Sequence, residues 1–280
     1  MNQKIINRKY LEEKYYKNVE YYKMMEEWHK KHGGIAVEDT VKKLLIEILE
    51  NLPAGAKILE MGCGEGSIVL WLAKKYPHLQ FFGTDISPVG IELAKNKSQG
   101  ISNAIFIIDD IQNSRLKDNS IDLIISQSVL EHLTDYLKAL EECYRILVPG
   151  GKILIRVSNG GRLNKGIKGF MIDFLKYLLK LNKVVYLNPT FELSGDSEQK
   201  RKQHMRNFDL VEIPSDVLLR NLKKLGFKIC YFTTCKEFIL QSENYKNKTL
   251  IKRKMIELYV NFNIFPFNHM GRTTVVLAEK

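Results

Sequence analysis

Residues 57–66 have the sequence KILEMGCGEG, in which a short apolar run leads directly into three glycines at alternate positions. The apolar run predicts a buried β-strand, and the pattern after the glycines predicts a helix. Gly62, Gly64 and Gly66 allow the backbone to turn tightly and to approach a ligand without a clashing Cβ. The N–H groups that open the helix would face that ligand. Strand, turn and helix together predict a nucleotide-binding βα unit, a device that nicotinamide and flavin enzymes share.

Short apolar runs and helical patterns alternate through the rest of the chain. The predicted strands lie at 57–61, 79–84, 104–108, 121–126, 152–157, 228–233 and 273–278. The predicted helices lie at 37–52, at 67–76, from Pro88 onward, at 136–147 and at 214–225. Strands that are apolar along nearly their whole length, separated by helices, are typical of a parallel sheet covered on both faces. The sequence therefore predicts an α/β fold.

Acidic residues stand at the ends of the first three predicted strands. Glu60 precedes the first glycine by two residues, where its charge would repel a dinucleotide pyrophosphate but would suit the ammonium group of a bound amino acid. Asp85 can accept hydrogen bonds from two ribose hydroxyls. Asp109 and Asp110 follow the third strand, where a carboxylate can accept from an adenine amino group, and Asp110 is the preferred one. These acids outline one ligand crevice, the alternative being strand-end carboxylates that cap helices.

The chain resembles the class I methyltransferases that use S-adenosylmethionine (SAM), in the broad group that includes the ubiquinone-biosynthesis O-methyltransferases. The matching stretches are 58–66, 83–87, 108–111, 121–133 and 147–151. The resemblance implies a Rossmann-like, seven-stranded, mostly parallel sheet with helices on both faces, completed by an antiparallel C-terminal hairpin. It divides the chain into an N-terminal helical lid at 1–52, a SAM-binding core at 53–158, an insertion after the fifth strand at 159–213 and the rest of the core at 214–280.

The resemblance also implies a set of cofactor contacts at the ends of the first four strands. On the methionine part of SAM, the contacts would come from Glu60, Gly62 and Gly64, with Gly66 completing the turn and Cys63 near the ligand. Asp85 would bind the ribose. The adenine would pack on Ile86 and meet Asp110 and Ile111 at its edge, and Gln127 would line the pocket.

The segment 128–132, SVLEH, matches a stretch that often has the pattern Glu-x-Leu-Glu-His in the relatives. In the ubiquinone-type enzymes the two acids and the histidine are associated with a divalent metal near the acceptor hydroxyl. Here Ser128 replaces the first acid and removes a carboxylate ligand, so we predict no metal. A hydroxyl acceptor benefits from a general base, and the candidate catalytic residues are Glu131, His132 and His29. The alternative for Glu131 and His132 is a structural pair that anchors the start of a helix.

The acceptor is expected to lie under the segments that are particular to this chain. The lid carries several aromatic residues that could enclose a small molecule, although a packed helix face explains them as well: Tyr15, Tyr21, Tyr22 and Trp28. The insertion contains a basic amphipathic helix near 167–187. This helix could cap a small-molecule site, form a subunit interface or make a peripheral membrane contact.

Composition and charge narrow the class of protein further. No apolar run of the 280-residue chain approaches the length that spans a bilayer, and the N-terminus has no apolar signal core, so we predict a cytoplasmic protein. The four cysteines form no CxxC pair, which predicts reduced thiols. The formal net charge of +11 is spread over lysines, which indicates a solvated surface or an acidic partner.

The sequence thus predicts a SAM-dependent methyltransferase of small-molecule biosynthesis that forms S-adenosylhomocysteine (SAH) as its product. We predict methylation at the oxygen of a sugar, a phenol or quinone-like compound, or a lipid-linked intermediate. Methylation of a small amine at nitrogen is the alternative. A nucleic-acid methyltransferase is disfavoured, because the residues after the fourth strand, SQSV at 126–129, lack the Asn/Asp-Pro-Pro-Tyr/Phe motif used on exocyclic amines.

Overall fold

The computed structural model describes residues 39–158, 211–235 and 273–280, together with Lys17, Val19, Tyr22, Glu27, Leu179 and residues 184–186. The helices in these parts are α1 (Asp39–Glu50), α2 (Ser67–Lys75), α3 (Pro88–Lys97), α4 (Tyr136–Ile146) and α5 (Ser215–Lys224). The strands are β1 (Lys57–Met61), β2 (Gln80–Asp85), β3 (Ala104–Ile108), β4 (Ile121–Gln127), β5 (Leu147–Ser158), β6 (Val185–Tyr186), β7 (Val211–Glu212), β8 (Lys228–Cys235) and β9 (Thr273–Glu279).

Seven of these strands form one mixed sheet in the order β3-β2-β1-β4-β5-β9-β8. The first five strands in that order are parallel, and β9 runs antiparallel to both of its neighbours, β5 and β8. The predicted fold class, a Rossmann-like seven-stranded sheet closed by an antiparallel hairpin, is confirmed. The chain moves outward from β1 to β3 and then returns to β4 on the other side of β1. The carboxyl ends of β1 and β4 therefore border the crevice in which open α/β sheets bind their ligands.

The two faces of the sheet are covered by different helices. Side chains alternate along each strand, so that Ile58 packs on the side of α1, α2 and α3 whereas Leu59 packs on the side of α4 and α5. Buried aliphatic residues of the helices complete both cores: Leu45, Leu72 and Ile91 on the first face, and Leu140, Ile146 and Leu222 on the second. Burial on both faces explains why the strands of the parallel part are apolar along nearly their whole length.

Most predicted elements begin and end within two residues of their observed bounds, and β5 is the main difference. The strand was predicted at 152–157 but spans Leu147–Ser158, because Leu147 already pairs with Ile121 of β4. Gly150 adopts a φ of 77° within it and donates its N–H to the carbonyl of Lys280 at 3.0 Å. The first part of β5 is thus held by Lys280, which follows β9, and local sequence patterns do not reveal this contact.

The predicted lid at 1–52 and insertion at 159–213 lie largely outside the described residues, as do Tyr15, Tyr21, Trp28 and the basic helix near 167–187. The division of the chain into these segments stays a prediction. Among the helices that the structure describes, none has the length and apolar character needed to span a bilayer.

Candidate active site

The glycine turn joins β1 to α2 in the conformation that its sequence demands. Gly62, Gly64 and Gly66 have φ values of 65°, 54° and 79°, in the left-handed region that side chains with a Cβ rarely adopt. The turn is held at both ends, because Cys63 donates its N–H to the carbonyl of Thr84 at 3.0 Å and Gly66 donates to the carbonyl of Cys63 at 2.9 Å. The N-terminus of α2 consequently opens toward the crevice.

Asp85, the last residue of β2, connects this turn to the start of α3. Its Oδ2 accepts the N–H of Gly64 at 2.9 Å, and its Oδ1 accepts the N–H of Ser87 at 2.8 Å. Ser87, and not Asp85, caps α3 by accepting the N–H of Gly90 at 3.0 Å. A carboxylate has about four lone-pair sites. Asp85 can therefore hold the glycine turn in place and still accept hydrogen bonds from a ligand.

Glu60 presents a buried carboxyl group beside the turn. Glu60 is 4% exposed, and its Oε2 has no hydrogen-bond partner within the described parts of the chain. Burial raises the pKa of Glu60 well above its ordinary value, and the charges of Glu65 and Asp85 raise that pKa further, whereas the N–H of Val69 lowers it. Among the residues that the structure describes, no cation pairs with Glu60, and a cationic ligand would supply the counter-charge.

Glu65 belongs to the same acidic group, although our sequence analysis did not select it. The residue is 3% exposed, and its Oε1 accepts the hydroxyl proton of Ser67 at 2.5 Å. The signal was its place between two glycines of the turn, two residues before the first residue of α2. Burial raises the pKa of Asp85 and of the Cys63 thiol as well. The crevice is therefore lined by three acids whose charges disfavour one another.

The two acids after β3 have different partners. The Oδ2 of Asp109 accepts the Ser114 hydroxyl at 2.6 Å, and its Oδ1 accepts the N–H of Arg115 at 3.2 Å and the Nε–H of Arg115 at 3.3 Å. Asp109 thus holds the loop that follows it. Asp110 caps a 3-10 turn (Ile111–Asn113) by accepting the N–H of Gln112 at 3.0 Å. The preference for Asp110 as the adenine contact stays a prediction that this arrangement supports.

Neighbouring side chains crowd the glycines from several directions. A Cβ at Gly62 would lie 2.6 Å from a methyl group of Val129, which follows β4, so the loops after β1 and β4 touch. Tyr22, from the segment predicted to be a lid, is 5% exposed, and its Cε1 would lie 3.7 Å from a Cβ at Gly64 and 3.0 Å from one at Gly90. An aromatic ring of the predicted lid thus rests against the glycine turn.

The residues predicted to contact adenine with apolar atoms differ in burial. Ile86 is half-buried directly after β2. Ile111 is 8% exposed and belongs to the core on the side of α4 and α5. The contacts of both residues with a cofactor stay predictions, and the position of Ile111 favours its backbone as the contacting part.

Glu131 and His132 lie in a second 3-10 turn, Leu130–His132, directly after β4. Glu131 is 2% exposed, and its Oε1 accepts the N–H of Ser158 at 3.1 Å, at the level where β4 has ended and no longer pairs with β5. This bond favours the anchoring role that the sequence analysis left open for Glu131, and the choice between that role and catalysis stays open. Its Oε2 is buried and has no hydrogen-bond partner among the described residues. His132 is half-buried, and the third candidate, His29, lies outside the described residues.

A residue that the sequence analysis missed, Arg156, stands at the carboxyl end of β5. Its guanidinium donates a hydrogen bond to the Oγ of Ser128, a serine held at a φ of 52°. Nothing in the local sequence marked this arginine, because its role depends on the pairing of β4 with β5. Among the residues that the structure describes, no group of three or more histidines, cysteines and acids is placed to hold a metal ion.

Comparison with known proteins agrees with this geometry. Residues 59–155 match a family described as a methyltransferase domain. The chain is 33% identical over 117 residues to malonyl-[acyl-carrier protein] O-methyltransferase 1 of Ilyobacter polytropus, a match that covers 40% of this chain and 43% of that protein. It is 32% identical over 124 residues to phosphoethanolamine N-methyltransferase 1 of Arabidopsis thaliana, covering 44% of this chain and 24% of that protein. The chain thus spans less than half the length of these curated relatives.

Among solved structures, the fold is similar to that of a SAM-dependent methyltransferase from Aquifex aeolicus, with a TM-score of 0.53 and 15% sequence identity. That similarity covers 94% of this chain and 98% of the other. At this level of identity the likeness supports the fold alone.

Proposed function

We propose that the chain, whose residues 59–155 match a methyltransferase-domain family, binds SAM at the carboxyl ends of β1, β2 and β3 and transfers its methyl group to a small-molecule acceptor. The observation that carries this proposal is the buried Glu60 carboxyl group, whose Oε2 has no hydrogen-bond partner in the described part of the chain, beside a glycine turn held by Asp85. A buried carboxyl oxygen without a hydrogen-bond partner is costly, and it is explained if a ligand completes the site.

The charges at the crevice favour SAM over a dinucleotide. SAM carries a positive sulfur and an amino-acid ammonium group, whereas a dinucleotide would bring a pyrophosphate toward Glu60, Glu65 and Asp85. The burial of these acids strengthens both the attraction and the repulsion. The residues present therefore fit SAM, with Glu60 toward the amino-acid part, Asp85 toward the ribose and Asp110 toward adenine.

SAM supplies a methyl group on a sulfonium, and attack by the acceptor breaks the carbon–sulfur bond and releases SAH. The task of the protein is to align the acceptor and to exclude water, which can contribute about 7–11 kcal/mol to the lowering of the barrier. The glycine turn and Gln127 would fix the position of the ligand, and the Tyr22 ring would cover it. Glu131 and His132 stand at the end of β4, where one of them could accept the proton of an acceptor hydroxyl.

The acceptor atom is the finer part of the proposal. The curated relatives include an O-methyltransferase and an N-methyltransferase. We place the methyl group on oxygen, because a hydroxyl needs a base and Glu131 offers a buried carboxylate oxygen without a partner in the described residues. A small amine is the second candidate, since a neutral amine needs no such base to attack.

Calorimetry with purified protein tests the cofactor assignment. We expect SAM and SAH to bind with one-to-one stoichiometry and NAD to bind at least about 100-fold more weakly, because the pyrophosphate meets the acidic crevice. Comparable affinities for SAH and NAD would contradict the proposal. Transfer of a labelled methyl group to matched hydroxyl and amine compounds then decides between oxygen and nitrogen.

Replacing Glu60 tests the electrostatic argument without any acceptor. Because the pKa of Glu60 is raised in the folded state, the folded protein binds more protons than the unfolded chain between about pH 4, the ordinary pKa of a glutamate, and that raised pKa. The free energy of unfolding of the ligand-free protein should therefore fall as pH rises through this window, by up to about 1.4 kcal/mol per pH unit. We expect Glu60→Gln to remove that part of the slope, to stabilise the ligand-free protein at neutral pH and to weaken SAM binding.

The matched control is Glu92→Gln, which changes an exposed glutamate on α3. This variant should keep the pH dependence of the wild-type protein in urea unfolding measured without ligand. If Glu60→Gln and Glu92→Gln show the same slope and the same SAM affinity, the buried carboxyl group is not what selects the cofactor.

A further inference from the structure

Gln112 lies in the loop after β3 and contacts both the acid predicted to meet adenine and the segment that follows β4. Its N–H donates to the Oδ1 of Asp110 at 3.0 Å, and its Nε2 lies 3.4 Å from the same oxygen. Its Oε1 accepts the hydroxyl proton of Thr134 at 2.9 Å and the N–H of Asp135 at 2.8 Å. One residue therefore joins two loops of the crevice that are separated by more than a helical turn of sequence and by the whole of β4.

The bonds of Gln112 reach the turn that carries the candidate base. Thr134 and Asp135 follow closely on the 3-10 turn Leu130–His132, at the carboxyl end of β4. On the other side of that turn, the Oε1 of Glu131 accepts a backbone N–H of β5 at 3.1 Å. The turn is thus held from β5 by Glu131 and from the loop after β3 by Gln112.

The helix that follows the turn, α4, is fixed to the loop after β3 by separate contacts. The Oε2 of Glu142 accepts the N–H of Ser114 at 3.0 Å, and Arg145 donates from Nη2 to the carbonyl of Ser114 at 3.1 Å. Ile111 is buried in the same core as the apolar residues of α4. Loss of the Gln112 side-chain amide would therefore leave α4 in place and would affect mainly the turn that precedes it.

The amide of Gln112 is chemically suited to this position. A carboxamide offers a donor on one side and an acceptor on the other, so it can face the Asp110 carboxylate and accept from the segment after β4 at the same time. A ligand that bonds to Asp110 would restrict the movement of that carboxylate and of the residue beside it. Once its acceptor is fixed, the turn opens less readily, because local opening must break the bonds to Gln112.

We propose that Gln112 is a positioning residue that couples the cofactor to the acceptor side of the site, so that adenine bound at Asp110 restrains the turn that carries Glu131 and His132. This inference rests on the proposed function, since it takes Asp110 as the adenine contact and this turn as the acceptor side. Coupling between two sites is reciprocal, so an acceptor bound at the turn raises the affinity for SAM by the same factor. Binding of the cofactor thereby prepares the half of the site that receives the methyl group.

The test is amide hydrogen exchange at Leu133 and Asp135, with and without saturating SAH. These amides donate to the carbonyl of Leu130 and to Gln112, so both report opening of the turn. In the wild-type protein SAH should slow their exchange about 3- to 10-fold, the equivalent of one net hydrogen bond. Gln112→Met keeps the length of the side chain but removes the amide, and it should abolish this SAH dependence while SAH still binds.

The matched control is Gln80→Met, which makes the same replacement at an exposed glutamine at the amino end of β2. This variant should keep the SAH dependence of the wild-type protein. If Gln112 served only to hold the turn, Gln112→Met would speed exchange equally with and without SAH. Equal protection by SAH in the wild-type protein and in Gln112→Met therefore overturns the coupling.

Thr134→Val provides a second variant, because it removes one donor to Gln112 and keeps the other. It should lose part of the protection by SAH, and it decides the outcome if Gln112→Met fails to fold or to bind SAH. Reduced protection in Thr134→Val then supports the coupling, and full protection overturns it. A wild-type protein that binds SAH without slower exchange at either amide contradicts the coupling alone, whereas a wild-type protein that does not bind SAH contradicts the proposed function and the coupling with it.

Discussion

Asp85→Ala is expected to lower the affinity for SAM about 100-fold or more while the sheet remains folded. Each hydrogen bond from a ribose hydroxyl to a carboxylate contributes about 1.5–3 kcal/mol, and two of them account for the loss. The variant also removes the acceptor that holds the Gly64 N–H at 2.9 Å, so the glycine turn loses part of its preorganisation. Calorimetric titration with SAM and SAH measures the effect, and circular dichroism checks the fold.

Asp122→Ala provides the matched control at the opposite end of β1. The Oδ2 of Asp122 accepts the N–H of Lys57 at 2.8 Å, so this carboxylate also bonds to a backbone amide of the β1 unit. Its removal should cost stability without changing SAM affinity by more than about twofold. If the two variants lose SAM affinity equally, the effect of Asp85 comes from general weakening of β1, and the ribose assignment is wrong.

The sheet could be predicted from sequence because its strands carry a local signal. A strand buried on both faces must be apolar along nearly its whole length, and 57–61, 104–108 and 273–278 show this without any information from elsewhere in the chain. The observed strands, Lys57–Met61, Ala104–Ile108 and Thr273–Glu279, agree closely. The bounds of an element are harder to predict when they depend on a distant partner. The observed β5 begins five residues before its predicted start, because Leu147 pairs with Ile121.

The residues of the candidate site also divide into those that a local sequence pattern marks and those that only a distant contact identifies. Glu60, Asp85 and Asp110 could be selected because each stands at a strand end that the local pattern predicts. The preference for Asp110 over Asp109 stays a prediction, and the structure adds that Ser114 returns to Asp109 at 2.6 Å, a contact that spacing does not encode.

Arg156 could not be selected at all from sequence. Its register partner is Gln127 of β4, and its guanidinium contacts Ser128, a residue 28 positions away in the chain. Residues whose role depends on two separate elements meeting in space carry no local mark.

Gly66→Ala is expected to destabilise the protein by about 2–5 kcal/mol and to abolish detectable SAM binding. Alanine at a φ of 79° costs about 1–2 kcal/mol by itself. The added Cβ would also lie 2.6 Å from a ring carbon of Phe106 and 3.0 Å from the Cβ of Ala94, and overpacking of this kind costs about 1–3 kcal/mol. Relief of the clash requires the N-terminus of α2 to move away from the crevice, which displaces the amides that face the ligand.

Gly100→Ala separates the two contributions, because Gly100 has a φ of 81° and its added Cβ would meet nothing within 4 Å. Denaturant unfolding should therefore show a loss of about 1–2 kcal/mol for Gly100→Ala, with SAM affinity unchanged. Phe106→Leu combined with Gly66→Ala should recover part of the larger loss, and a double-mutant cycle measures that coupling. Equal destabilisation by the two alanine variants, with no coupling to Phe106, would mean that the backbone angle alone requires glycine at 66. Unequal destabilisation with coupling would show that packing of Phe106 from β3 against the turn sets the position of α2, and with it the geometry of the site.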